Sequence, residues 1–254
     1  MQLPITVLVH IYNEEYSLIP WLLYHRRIFE HGIIVDYKST DKSLLIIKAI
    51  CPTWDIVDTR NEYFDAHDCD MEIMALETHI TGYKITLNIT EWLVFSTEFE
   101  NSFLNDNTLR CIAIKPWAVC TNNENTDITV NDYIDSFRYV HKTYREGYRF
   151  LHNYLTLPYT VGRHQVETHF PFTTTHGTFL FWMGFFPWNT HIKNRRQQIK
   201  HKMSPADIKH GLGSQHLDTI EEMEKIRRVC ISEHIDLFDD NKLNMTEVID
   251  CLKK

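Results

Sequence analysis

The feature that most constrains this chain is an alternation, within its first hundred residues, of short β-branched apolar runs with segments of helical period. Ile5 to Ile11 carries almost no charge and reads as a buried strand; Tyr12-Asn13-Glu14-Glu15 follows, then a helical pattern to Phe29. Ile33 to Tyr37 is a second apolar run. Ser39-Thr40-Asp41 opens a helix through Ile50, with Ser39 or Thr40 as its cap and Pro52 beyond its end. Trp54 to Val57 predicts a third strand, Asp65 to Gly82 a third helix, and Trp92 to Phe95 a fourth buried strand. Strand-helix units in this order predict an α/β fold: a Rossmann-like, mostly parallel, doubly wound sheet flanked by helices.

Beyond Phe95 the rhythm changes. Arg110 to Cys120 reads as a longer strand and Asn122 to Asp132 as a polar loop. Arg149 to Phe181 alternates strand-like stretches with turns at Pro158, Gly162 and Gly177. This second half is expected to be mixed or antiparallel. Asn189 to Met203 is basic and helical, Ser204-Pro205 restarts the chain at a cap, and Leu217 to Lys254 reads as a largely helical tail.

A length of 254 residues with 43% hydrophobic content supports a substantial core in one large domain or two small ones, of which a single domain is expected. A formal net charge of -8, without a long basic run, disfavours a nucleic-acid surface, so any anionic ligand must be held locally. The six cysteines form no CxxC pair and no short-range framework, which excludes a zinc knuckle and suits a reducing compartment. No apolar run approaches the ~18 residues of a membrane span, and no signal-like segment opens the chain. A soluble, cytoplasmic protein without a transmembrane segment is therefore expected.

In an open parallel sheet, ligands bind beyond the carboxyl ends of the strands. Three such ends carry polar groups: Asn13-Glu14-Glu15, Asp36 with Ser39 and Asp41, and Ser96-Thr97-Glu98. They are expected to converge on one cleft. A carboxylate after the second strand suits a ribose or base, and one after the fourth suits a cation bridging two phosphates.

The strings VLVHIYNEE, IIVDYKSTDKS and TGYKITLNITEWLVFSTEFE give residues 5 to about 105 a resemblance to the nucleotide-sugar half of glycosyltransferase family two, of the GT-A fold, and its viral and bacterial relatives. VGRHQVETHF, GTFLFWMGFFPWN and GLGSQH resemble more loosely the acceptor half of such enzymes. The resemblance implies a donor half over 1–105 and an acceptor half with a helical tail over 106–254. It implies that Asn13, Glu14 and Glu15 line the donor site, that Asp36 faces the nucleoside with Ser39 beside it, and that Ser96-Thr97-Glu98 occupies the metal-motif position. Where relatives carry two acids this chain has Ser96 and Glu98, so Mn2+ or Mg2+ would rest on one carboxylate with help from the phosphates, water or a histidine.

Asp68-Cys69-Asp70 spells the motif literally but falls at the start of the third helix, where acids suit the helix dipole; Asp65 and Asp68 remain donor-side candidates. His164 and His216 follow glycine turns, and the resemblance makes them candidates to complete the metal shell. Arg163, with Lys193, Arg195 and Arg196, can neutralise a departing diphosphate.

The resemblance further implies inverting transfer from a UDP- or GDP-linked sugar to a glycan or other hydroxyl acceptor, by direct displacement with a base at the acceptor. Glu167, which follows the Gly162-Arg163-His164 segment, leads for that role over His169, His176, Asp207 and Glu91. Two other readings stay open: a nucleotidyltransferase, against which the acidic turn after the first strand speaks, and a non-catalytic nucleotide-sugar or glycan-binding module, which Ser96 favours.

Overall fold

The computed structural model describes residues 2–105, 110–143, 145–167, 169–239, 248–249 and 252. The chain opens with β1 (Leu3–Ile11), α1 (Glu15–His25), β2 (Phe29–Asp36), α2 (Ser43–Ile50), β3 (Asp55–Asp58), α3 (Ala66–Glu77) and β4 (Tyr83–Leu87). β1 pairs in parallel with β2 on one side and β4 on the other, and β2 pairs in parallel with β3. Leu3, Ile5, Val7, Leu8, Val9 and Ile11 of β1 are all buried, as a strand covered on both faces requires. The α/β architecture expected from the sequence, a mostly parallel sheet flanked by helices, is what the chain forms.

The second half adds β5 (Glu91–Phe95), α4 (Thr97–Asn105), β6 (Cys111–Ile114), β7 (Pro116–Ala118), α5 (Val130–Ser136), β8 (Tyr139–His141), β9 (Arg149–His152) and β10 (Thr178–Trp182). It closes with α6 (Thr190–Ile199), α7 (Pro205–His210), α8 (Ile220–Ser232) and β11 (His234–Asp236). β9 joins the main sheet antiparallel to β4, and β6 follows antiparallel to β9, giving the order β3-β2-β1-β4-β9-β6. A second sheet, β5-β10-β7, is mixed.

Four expectations need correction. The fourth parallel strand is β4, whereas Trp92–Phe95 belongs to β5, in the second sheet. Between them the chain turns at 88–90: the Asn88 amide donates to the Glu91 carboxylate at 2.8 Å and the Glu91 amide to the Asn88 carbonyl at 2.8 Å. Arg110 to Cys120 is two strands, divided at Lys115; Pro116, which has no amide hydrogen to donate, starts the second. α2 begins at Ser43, because the carboxylate of Asp41 takes the Ser43 amide at 2.9 Å while Asn13 and Asp36 occupy the amides of Ser39, Thr40 and Asp41. After α8 the tail forms β11, which pairs antiparallel with β8; residues 240–247, 250–251 and 253–254 of the expected helical tail lie outside the described residues.

α1 fixes the start of β5. Trp21 Nε1 donates to the Glu91 carbonyl at 2.9 Å, Tyr24 Oη to the Leu93 carbonyl at 3.0 Å, and the Leu93 amide to His25 Nε2 at 3.3 Å. These contacts anchor the 88–91 turn at the carboxyl edge of the main sheet. α7 starts as expected, with Ser204 accepting the Asp207 amide at 2.9 Å and Pro205 in the first turn. Among the described residues no helix is long and apolar enough to cross a membrane.

Candidate functional site

The strand order reverses direction between β1 and β4, and at such a switch point the connections leave to opposite sides and open a crevice. A cavity of about 450 Å³ lies there. His10, Tyr12 and Glu14 enter it from the end of β1, and Asn88, Ile89, Thr90 and Glu91 from the end of β4. The start of α3 contributes Asp65 and Asp70, the 161–164 turn contributes Arg163 and His164, and the second half adds Arg145, Arg149, Arg195, Arg196, Asp207 and His216.

Three of the five arginines are bound to carboxylates. Arg149 grips Glu91 through Nε and Nη2 at 2.9 and 2.8 Å, with both side chains almost fully buried. Burial alone would raise the Glu91 carboxyl; the charge and hydrogen bond of Arg149 and the Asn88 amide hold it below the ordinary carboxylate range. Arg195 grips Glu14 in the same bidentate fashion, both bonds 2.6 Å. There burial wins and pushes the Glu14 carboxyl up, against the pull of Arg195.

The third pair is Arg163 with Asp70, whose other oxygen accepts the Gly162 amide at 2.6 Å. Gly162 (φ 82) and Arg163 (φ 57) are consecutive left-handed residues, and this turn is what lets one carboxylate take both groups. Left-handed Arg163 costs about 1 kcal/mol or more and persists because Asp70, Arg149 Nη1 on the Gly162 and Arg163 carbonyls, and the Thr160 carbonyl on the Arg163 amide together hold the turn.

The histidines facing the cavity are all pulled below the ordinary imidazole range. His10 is held well below its ordinary value by burial and then by Arg163, and its Nε2 has no hydrogen-bond partner among the described residues. Burial, then Arg149, pulls His164 down to about 4, although the outer edge of the residue is open to solvent. Burial, then Arg196 and Arg195, brings His216 to about 4 as well.

Among the described residues no three His, Cys, Asp or Glu side chains come together as a metal cage. The cavity's carboxylates are also engaged: Glu14, Asp70 and Glu91 by arginines, Asp65 by Ser204 and the α3 amides, Asp207 by the Ala66 amide at 2.7 Å. The donor set does not suit a resident Mn2+ or Mg2+.

Of the residues singled out in the sequence, Glu14, Asp65, Arg163, His164 and His216 line the cavity, and so do Arg195, Arg196 and the alternative bases Asp207 and Glu91. Asn13, Glu15, Asp36 and Ser39 do not; they lock the β1–α1 turn to the β2–α2 turn. The Asn13 amide donates to Ser39 Oγ at 3.0 Å, Asn13 Oδ1 accepts the Thr40 amide at 2.7 Å, and Glu15 accepts the Lys42 amide at 3.1 Å. Asp36 is buried and receives the Ser39 amide.

Ser96 accepts the Phe99 amide at 3.1 Å at the start of α4, and Glu98 is exposed in the first turn of that helix, off the cavity. The reason is the corrected strand: Glu98 follows β5, which leads away from the crevice, so the expected trio of Glu98, His164 and His216 does not assemble. Asp68 is exposed on α3 and Glu167 is exposed beyond the 161–164 turn, neither lining the cavity. His10, Asn88, Thr90, Arg145 and Arg149 were not singled out. The Asn-Ile-Thr-Glu break in an apolar run was the one signal that could have found the β4 end.

No family model matches the chain, and no curated protein matches it in sequence. Among solved structures it is similar to S. aureus TarS 1-349 in complex with UDP-GlcNAc, at 15% identity and a TM-score of 0.35, covering 48% of this chain and 37% of that one. Glucosyl-3-phosphoglycerate synthase from Mycobacterium tuberculosis, in complex with Mn2+, UDP and glucosyl-3-phosphoglycerate, is similar at 11% identity and a TM-score of 0.31, with 45% and 44% covered. A mycobacterial protein is similar at 10% identity and a TM-score of 0.37, with 63% and 57% covered. The chain thus spans less than two thirds of each of these proteins. The likeness is partial, and what those proteins bind is a property of theirs.

Proposed function

We propose that the protein is a glycosyltransferase of the GT-A type that moves a sugar from a UDP- or GDP-linked donor to the hydroxyl of a glycan or other acceptor. The observation that carries this reading is the cavity at the β1/β4 switch point, which combines aromatic faces, buried arginines and carboxylates. Tyr12 and Phe64 offer rings to a nucleoside, and the arginines offer charge to a diphosphate. In this reading residues 1–105 form the donor half and residues 106–254 the acceptor half, with Arg145 and Arg196 reaching back to the donor.

Transfer inverts the anomeric centre. The acceptor oxygen bonds to the anomeric carbon as the bond from that carbon to the diphosphate oxygen breaks; the electron pair leaves on the nucleoside diphosphate, and the acceptor proton passes to a carboxylate. Asp65 and Asp207 are the cavity acids without an arginine partner, and we assign the base to this pair in place of Glu167. The enzyme works in the cytoplasm, consistent with the free thiols of Cys51, Cys69, Cys111, Cys120 and Cys230. The test is hydrolysis and transfer with a panel of nucleotide-sugars, with EDTA or with Mn2+. Release of a nucleoside diphosphate from one donor above all others supports the reading, and no turnover of any donor overturns it.

A further inference from the structure

Two of the cavity's arginines differ from the other three. Arg145 and Arg196 make no ion pair with a carboxylate among the described residues, and each instead lies over an aromatic ring. The Arg145 guanidinium is 3.6 Å from the centroid of Trp182, and that of Arg196 is 5.1 Å from the centroid of Phe185. The two rings meet edge to face at 5.3 Å, so one aromatic shelf carries both cations. A ring face attracts a guanidinium without neutralising it, and leaves the planar N–H fork pointing away from the ring edge available.

Arg196 spends Nη1 on the Gly184 carbonyl at 3.1 Å and turns Nε toward Met223 Sδ at 3.1 Å. Arg145 stands at the exposed mouth of the cavity. The carboxylates that act on the two at longer range are Glu91, already bidentate on Arg149, and Asp218. Burial, then the charges of Arg195 and Arg145, pulls Arg196 down to about 10. Uncompensated positive charge in a cavity is costly, and an incoming anion removes that cost.

We propose that Arg145 and Arg196, held on the Trp182/Phe185 shelf, form a diphosphate clamp that does the work of a divalent cation, so that donor binding needs no metal. In naming the diphosphate of a nucleotide donor, this rests on the glycosyltransferase reading. The pairing of Glu14, Asp70 and Glu91 with arginines supports it independently, since a cation at any of these three carboxylates would have to displace an arginine to find its oxygens.

The test is calorimetric binding of inorganic pyrophosphate and of UDP at fixed ionic strength, in EDTA and again with millimolar Mn2+. Both probes are expected to bind in EDTA, with affinity changing less than about twofold on adding Mn2+. Arg145→Ala, at the open mouth, is expected to weaken pyrophosphate about tenfold or more, as loss of a charge-assisted bond does, with the melting temperature retained. Arg196→Ala is expected to do the same if it folds, and Arg228→Ala, exposed on α8, is expected to do nothing. Binding that appears only with Mn2+, or an Arg145→Ala protein that folds and binds unchanged, overturns the clamp and leaves the glycosyltransferase reading standing. Pyrophosphate binding that needs Arg145 while no nucleotide-sugar is turned over supports the clamp and removes the donor reading instead.

Discussion

Removing Asp70 sets the two acidic candidates against each other. Asp70 is 5% exposed and holds both the Arg163 guanidinium and the Gly162 amide, whereas Glu98 is exposed in the first turn of α4. Burial pushes the Asp70 carboxyl up in spite of Arg163, so the pair contributes little beyond what an apolar pair would. The damage in Asp70→Ala comes from what it leaves behind: a buried cation with no anion and a left-handed turn whose Gly162 amide has lost its acceptor.

Orphaning one member of a buried ion pair costs about 3–5 kcal/mol. At ~2–4 °C per kcal/mol for a domain of this size, the melting temperature should fall by roughly 6–20 °C. Glu98→Ala should lose at most about 1 kcal/mol, the value of an acid near a helix N-terminus. Urea unfolding of the two single variants and of Asp70→Ala/Arg163→Met measures this directly. The double variant should recover most of the loss, because it removes the orphaned charge. A neutral Asp70→Ala, or a Glu98→Ala that is the more damaging of the two, would refute the assignment of both residues.

Acid should weaken the fold through His25, which is fully buried and held at about 3 by that burial against an ordinary value near 6.5. Between those values the unfolded chain takes a proton that the folded chain refuses. Stability is therefore full above about pH 6.5 and falls as pH drops, with a slope approaching 1.4 kcal/mol per unit, and His25→Gln should flatten that limb in urea titrations at stepped pH. His164 and His216 add to the same limb in the same direction. Gly184→Ala would put a Cβ 1.8 Å from Trp182 Cζ2, so it should cost about 1–3 kcal/mol and disturb the Arg145 shelf, read as lost pyrophosphate affinity alongside a lower melting temperature. A nucleoside diphosphate at 100 times its dissociation constant should stabilise the protein by about 2.7 kcal/mol, a shift of roughly 5–10 °C by scanning fluorimetry. No shift with any nucleotide would count against the donor reading.

The parallel half of the fold was legible because its strands are buried on both faces and announce themselves as uncharged β-branched runs, Ile5 to Ile11 above all. The fourth strand was not. From Ile85 to Phe95 the only polar residues are Thr86, Asn88, Thr90 and Glu91, and with Glu91 buried and satisfied by Arg149, 58 positions on, the Asn-Ile-Thr-Glu break is the one local sign that the chain turns. That single misplacement carried the expected metal position to Ser96 and Glu98. The acidic turn after β1 was found by position, yet its residues divide: Glu14 faces the cavity, while Asn13 and Glu15 lock the neighbouring turn. The arginines lie far apart in the chain and meet only through the second half, so no spacing rule joins Arg145 to Arg196.

Amide hydrogen exchange with and without a turned-over nucleotide-sugar asks where the donor binds. Slowed exchange is expected at 88–91, at 161–164 and around Arg145 and Arg149, with α4 unchanged. Protection centred on Ser96 to Glu98 and α4, with the 88–91 turn unaffected, would contradict a donor site at the β1/β4 crevice.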